Sequence, residues 1–176
     1  MAVTMKQNIR FWASSENGPP PIRTCQVAAS QGIMIPNSPL ETNTDGYLEL
    51  GDTDDTVCYG LLCGVVDKST AWPLAAELAA GTEVRVAVVR AGDLWAVYCD
   101  SGGNDASPAQ TNVYASFAIT VDAGSGQVGY VTCDLGDETG TYFTMQDLAS
   151  NVEPALYSTS DSPGVAICKI TATLQG

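Results

Sequence analysis

Two short runs and one scattered set of cysteines hold residue types that could do chemistry. Asp100-Ser101-Gly102-Gly103 has the order found around the nucleophile of trypsin-like serine proteases. That mechanism needs a histidine to take the serine proton, and the chain contains none. A serine–lysine variant would have only Lys6, Lys68 and Lys169 to draw on. The run is therefore read as a turn, for which Asp, Ser and Gly are suited. Asp52-Thr53-Asp54-Asp55 begins like a calcium loop. An EF-hand next requires Gly at its sixth position and Glu at its twelfth. Counted from Asp52, those places hold Val57 and Cys63, so the match fails and a solvated acidic turn remains. Paired carboxylates could hydrolyse a glycoside. With 20 acidic residues some must lie close together in any fold, so their abundance is no signal. The chain has neither a phosphate loop nor a dinucleotide fingerprint.

The scattered set is Cys25, Cys58, Cys63, Cys99, Cys133 and Cys168. No Cys-x-x-Cys occurs among them, and without histidine a zinc site is not expected. In a cytosolic product they read as reduced, mostly buried thiols. Cys58 and Cys63 are near enough in sequence to pair if conditions become oxidising. The expectation is a chain with no catalytic residue, no cofactor and no metal.

Charge narrows the partners. Twenty acids against seven bases give a net charge of −13. This argues against nucleic acid, whose phosphates call for clustered Lys and Arg. It suits a soluble acidic surface. Residues 1–25 hold Lys6, Arg10 and Arg23 against Glu16, a local +2, and the remainder carries −15. A weakly basic leading segment on an acidic body could lie across another acidic surface. No apolar run reaches the roughly 18–20 residues of a membrane helix, and the first residues lack the apolar centre of a secretory signal. Synthesis in a cytosol is expected, with no membrane partner.

The elements that must carry these residues are strands. Thr82–Arg90 alternates β-branched and other residues, Ala91-Gly92-Asp93 turns, and Leu94–Cys99 returns, which predicts a central β-hairpin. Shorter strands are expected at Ile22–Val27, Gly32–Ile35, Tyr47–Leu50, Val57–Val66, Val113–Val121, Gln127–Cys133, Tyr142–Met145, Ala155–Ser158 and Val165–Leu174. Leu74–Ala80 has helix-forming composition over about two turns or is equally a connecting loop ahead of the Ala80-Gly81 turn, and Gln146–Asn151 could hold one helical turn. The fold class expected is all-β: small β-barrel or β-sandwich modules with an extended N-terminal arm. The arm is residues 1–21, the first module 22–100, and residues 101–176 are a second module or a continuation of the first. Gly46-Tyr-Leu-Glu-Leu-Gly-Asp and Gly129-Tyr-Val-Thr-Cys-Asp-Leu-Gly-Asp echo each other and hint at two related modules divided near residues 100–112.

The arm ends in Pro19-Pro20-Pro21, which no helix or central strand tolerates. Its Ile9-Arg10-Phe11-Trp12 sets large apolar groups in an extended segment. They either pack on their own domain or anchor on a neighbouring subunit. Ile9, Arg10, Phe11, Trp12, Pro19, Pro20 and Pro21 are the candidate partner-binding residues.

One resemblance is visible in Gly46-Tyr-Leu-Glu-Leu-Gly-Asp, Cys58-Tyr-Gly-Leu-Leu-Cys-Gly-Val-Val-Asp, Gly81-Thr-Glu-Val-Arg-Val and Gly92-Asp-Leu-Trp-Ala-Val. An acidic turn followed by Gly60-Leu61-Leu62, then Gly81 opening a strand of alternating Val, resembles the head decoration or capsid cement proteins of tailed bacteriophages. The likeness covers about residues 30–100, and residues 101–176 lie outside it. It implies a non-enzymatic role on the capsid exterior of a virion. The implied partners are the major capsid protein and further copies of the chain, as a homotrimer at three-fold positions. Other expectations from the residues are a tail or fibre adaptor, or a carboxylate-dependent hydrolase.

Overall fold

A computed structural model describes residues 9–14, 18–51, 57–67, 77–122, 130–171 and 173–174. The chain is all-β. Its strands, in order, are β1 (Arg10–Ala13), β2 (Ile22–Gln26), β3 (Pro39–Thr42), β4 (Leu48–Leu50), β5 (Val57–Cys58), β6 (Gly60–Val65), β7 (Glu83–Val88), β8 (Leu94–Ser101), β9 (Asn104–Asp105), β10 (Ser116–Asp122), β11 (Tyr130–Asp134), β12 (Phe143–Leu148), β13 (Val165–Ile170) and β14 (Thr173–Leu174). One helical turn, α1 (Ala149–Val152), follows β12, as Gln146–Asn151 leads one to expect.

The strands form two small barrels. In the first, β2-β7-β6-β3-β4 are neighbours in that order. A parallel bridge between Val27 and Leu48 closes the ring, helped by Ala28 N donating to Leu48 O at 2.7 Å. In the second, β8-β11-β10-β12-β13 are neighbours, and β13 returns to pair with β8. There the parallel contact lies between β8 and β11, with Cys99 opposite Cys133. Every other neighbouring pair in both rings is antiparallel.

Taken in chain order, the two rings have one topology. β2, β3, β4, β6 and β7 correspond to β8, β10, β11, β12 and β13. The match extends to single hydrogen bonds. Asn37 N donates to Leu62 O, as Tyr114 N does to Met145 O; Leu62 N donates to Ser38 O, as Met145 N does to Ala115 O. Val89 N donates to Tyr59 O, as Thr171 N does to Tyr142 O; Val27 N donates to Thr82 O, as Cys99 N does to Gly164 O. Both fourth strands bulge at the same place, between Leu62 and Gly64 and between Met145 and Asp147. Asn37 and Tyr114 share a left-handed backbone, with φ of 66° and 70°. The echo in the sequence falls on β4 and β11, the third strand of each ring.

The first barrel is filled by Val27, Met34, Leu40, Leu48, Leu62, Val65, Leu78, Val84 and Val86. Its other face, at Cys58, Leu61, Ala87 and Val89, belongs to the core of the second barrel, with Phe117, Tyr142 and Phe143. β6 and β7 are thus covered on both sides over part of their length. This is why Val57–Val66 reads as a nearly unbroken apolar run rather than an alternation. Gly60 sits where the strands come closest: a Cβ there would lie 2.5 Å from Val86 Cγ1 and 2.6 Å from the Ala87 carbonyl oxygen.

The hairpin expected at residues 82–99 does not form. Both strands exist, but β7 pairs with β2 and β6 while β8 pairs with β1, β9, β11 and β13. The connection at residues 89–93 is the corner between barrels, so the change of module falls there rather than at residue 100. A Gly-containing turn fixes a change of direction, and pairing is then decided by which strands bury each other's faces. Gly32–Ile35 and Ala155–Ser158 are not strands, and residues 77–79 are not helical. β3 went unforeseen because it opens with Pro39, which a strand accepts as its first residue. The rest of Leu74–Ala80, with Asp52–Asp55, Lys6 and Lys68, lies outside the described residues.

Candidate interaction surface

The extended arm lies on the second barrel. β1 runs antiparallel to β8, with Arg10 opposite Ala96 and Phe11 opposite Trp95. Ile9 is 3% exposed within the main core. Phe11 meets Trp95 edge to face, ring centroids 5.7 Å apart. Trp12 covers the outer face of β8 and β13 with Tyr157, over Ala96, Ala149, Val165 and Ile167. Arg10 is exposed; its guanidinium sits 5.4 Å from the Trp12 ring centre and donates a hydrogen bond to the Tyr157 hydroxyl. Pro20 is buried, whereas Pro19 and Pro21 are exposed.

A charged network pins the arm to the inter-barrel corner. Asp93, 1% exposed, accepts from Arg90 Nε at 2.9 Å and from Ser14 Oγ at 3.1 Å. Arg90 Nη2 also donates to Ser14 Oγ and to Gly18 O, each at 2.9 Å. Hydrogen bonds to charged groups are the strong ones, and these tie β1 to the start of β8. Ile9, Arg10, Phe11 and Trp12 are thus brought together by their own chain.

The candidate chemical runs resolve into structural roles. Gly102 and Gly103, with φ of 56° and 82°, are the two-residue turn between β8 and β9. The turn expected at Asp-Ser-Gly-Gly is present, in the form where both central residues need positive φ. Asp100, fully buried, accepts from Thr132 Oγ1 at 2.8 Å and Gly103 N at 2.9 Å. Burial, chiefly, lifts its carboxyl above the usual range; the nearby Asp134 charge adds to this. Asp134 accepts from Gly102 N and Gly136 N, at 3.2 and 2.8 Å. The two carboxylates hold adjacent turns by their main-chain amides, and Asp100 has no face toward solvent.

All six cysteines are free. Cys58 lies in the core and accepts a hydrogen bond from the Tyr142 hydroxyl at 2.9 Å, while Cys63 is exposed on the β6 bulge, so the two are not paired. Burial pushes the Cys58 thiol up to about 11. Cys133, buried between Cys99 and Cys168 and sharing hydrogen bonds with both, is pushed well above the ordinary thiol range. Such thiols are poor nucleophiles.

Among the described residues the large exposed apolar groups are Ile22, Tyr47, Val66, Tyr114, Val152 and Leu156. Tyr114 and Leu156, on the second barrel, are the most open, at 78% and 70%. Neither was signalled by the sequence, since an isolated Tyr or Leu has no pattern. Compared with models of known families, with curated proteins and with solved structures, the chain matches none.

Proposed function

We propose that this chain is a structural protein of a tailed-bacteriophage head, binding the capsid exterior and clamping neighbouring coat subunits. The observation that carries the reading is how the chemically suggestive groups are used. Asp100, Asp134 and Gly102-Gly103 are spent on holding turns, and the buried thiols on filling a core. What such a molecule offers a partner is surface. The runs resembling the decoration proteins lie on β4 to β8, through the first barrel and into the second. The acidic body keeps a densely packed exterior soluble, and many weak contacts repeated by symmetry add up to a firm shell. Within the arm, Arg10, Pro19 and Pro21 present surface to a coat subunit. Ile9, Phe11 and Trp12 hold the arm in place.

Immunogold electron microscopy of purified virions tests this. Label over the outer surface of heads is the expected result. Label confined to tails or fibres would favour the adaptor role through the second barrel. Chain found only free in the lysate would overturn both.

A further inference from the structure

The correspondence between barrels exposes one position where they differ. In the second barrel the outer edge of β8 is occupied by β1. The matching edge in the first barrel belongs to β2, and among the described residues no strand pairs along Ile22–Gln26 on that side. Which main-chain groups face outward follows from the pairing. Val88 N donates to Pro21 O and Val27 N to Thr82 O. In an antiparallel ladder bonding residues alternate, so Arg23 and Cys25 bond to β7. The amides and carbonyls of Ile22 and Thr24 point away from it. Their counterparts, Leu94 and Ala96, are the residues opposite β1. Ile22 is 56% exposed, and Arg23, Thr24 and Gln26 are exposed as well.

We propose that the outer edge of β2 pairs with the same edge of a second copy, antiparallel, about a two-fold axis at Thr24. The strand is self-complementary in that register. Thr24 faces Thr24, Ile22 faces Gln26 and Arg23 faces Cys25, so no like charges lie opposite. The residues with outward main-chain groups are the ones that then form the closely bonded pairs. Electrostatics also favours this corner. The molecule carries −13, yet two of the five bases among the described residues, Arg23 and Arg85, stand on β2 and β7. On these two strands Arg23 and Arg85 stand against Glu83, which offsets part of the repulsion between two acidic bodies. The contact is short and polar, so the dimer is concentration-dependent, and screening of the net charge by salt strengthens it. It joins two copies; a three-fold on a capsid requires another surface. The inference does not rest on the capsid role, because it concerns the free protein.

Sedimentation equilibrium from micromolar to millimolar protein, at low and high salt, reads the association. A reversible dimer is expected. Thr24→Pro removes an amide that β7 does not use and that an edge strand can spare. This variant should remain monomeric over the whole range, with unchanged near-ultraviolet circular dichroism. Thr24→Cys should crosslink through a short bifunctional maleimide, since facing Cβ atoms of a closely bonded pair would be about 5.5 Å apart, with peptide mapping placing the link between the two substituted positions. A monomer at the highest concentration, or a dimer unaffected by Thr24→Pro and crosslinked only through Cys63, would overturn the proposal.

Discussion

At Arg85 and at Ile167 the same point of one barrel plan meets opposite surroundings. Arg85 on β7, with Glu83 beside it, is exposed. Ile167 on β13, with Val165, is buried beneath Trp12, Leu94, Tyr98 and Tyr157. The backbone pairing is alike, so the ladder does not choose these residues. What chooses them is the cover: β1 and the segment through Tyr157 lie over the second barrel, and the first barrel has solvent there. A second contrast lies inside. Gly60 and Phe143 occupy matching places on β6 and β12, opposite Val88 and Ile170. In the first barrel strands close on the glycine, and in the second a full aromatic ring fills the core. One topology tolerates either solution because packing is local while the hydrogen-bond plan is shared.

Substitutions at matched positions sharpen the contrast. The largest effect is expected from Phe143→Ala, which empties the second core and should cost about 3–5 kcal/mol in denaturant unfolding; a cost below 1 kcal/mol would mean the ring is not packed as described. Gly60→Ala, the opposite change at the matching place, forces a Cβ into Val86 and the Ala87 carbonyl. It should cost about 1–3 kcal/mol, and a neutral result would show that the strands can part. On the outer faces, Trp12→Ala should cost about 2 kcal/mol for the apolar cover lost, whereas Arg85→Ala should stay within about 0.5 kcal/mol. Equal losses would erase the distinction between covered and bare barrels.

The smallest effect is a slope. Asp100 stands where the first barrel has Ala28, and its folded pKa lies above the ordinary carboxyl value. The folded state therefore holds that proton more tightly than the unfolded chain. Stability from this group is full below the unfolded value of about 3.8 and falls as pH rises through the folded pKa. Asp100→Asn should flatten that decline when unfolding free energy is followed upward from pH 3.5, and an unchanged slope would assign the decline to other acids.

Much of the fold was legible residue by residue. Alternation at Glu83–Val88 located β7, the return after Ala91-Gly92-Asp93 located β8, and the double glycine after Ser101 located a turn. The pairing of β7 with β8 was misread, because adjacency in sequence makes a hairpin the cheap guess and the true partners are distant. The arm's aromatic residues were visible as groups needing a home; that home proved to be Trp95 and Tyr157. The edge of β2 that no strand pairs with among the described residues left no trace in its five residues, since an edge strand and a paired one can carry the same side chains.

By itself, then, the sequence determined most of the strands and turns and the exclusion of histidine-based chemistry, because alternation, positive φ and residue type act within a few residues. Only the tertiary structure decided that ten strands, β3 among them, close into two rings of one design, and which ring goes clothed. Ring closure rests on main-chain bonds between strands far apart in the chain, and every residue but proline brings the same two main-chain groups to them. Side chains at matching places mostly differ, and Leu50-Gly51 with Leu135-Gly136 and Tyr59 with Tyr142 are among the few that agree.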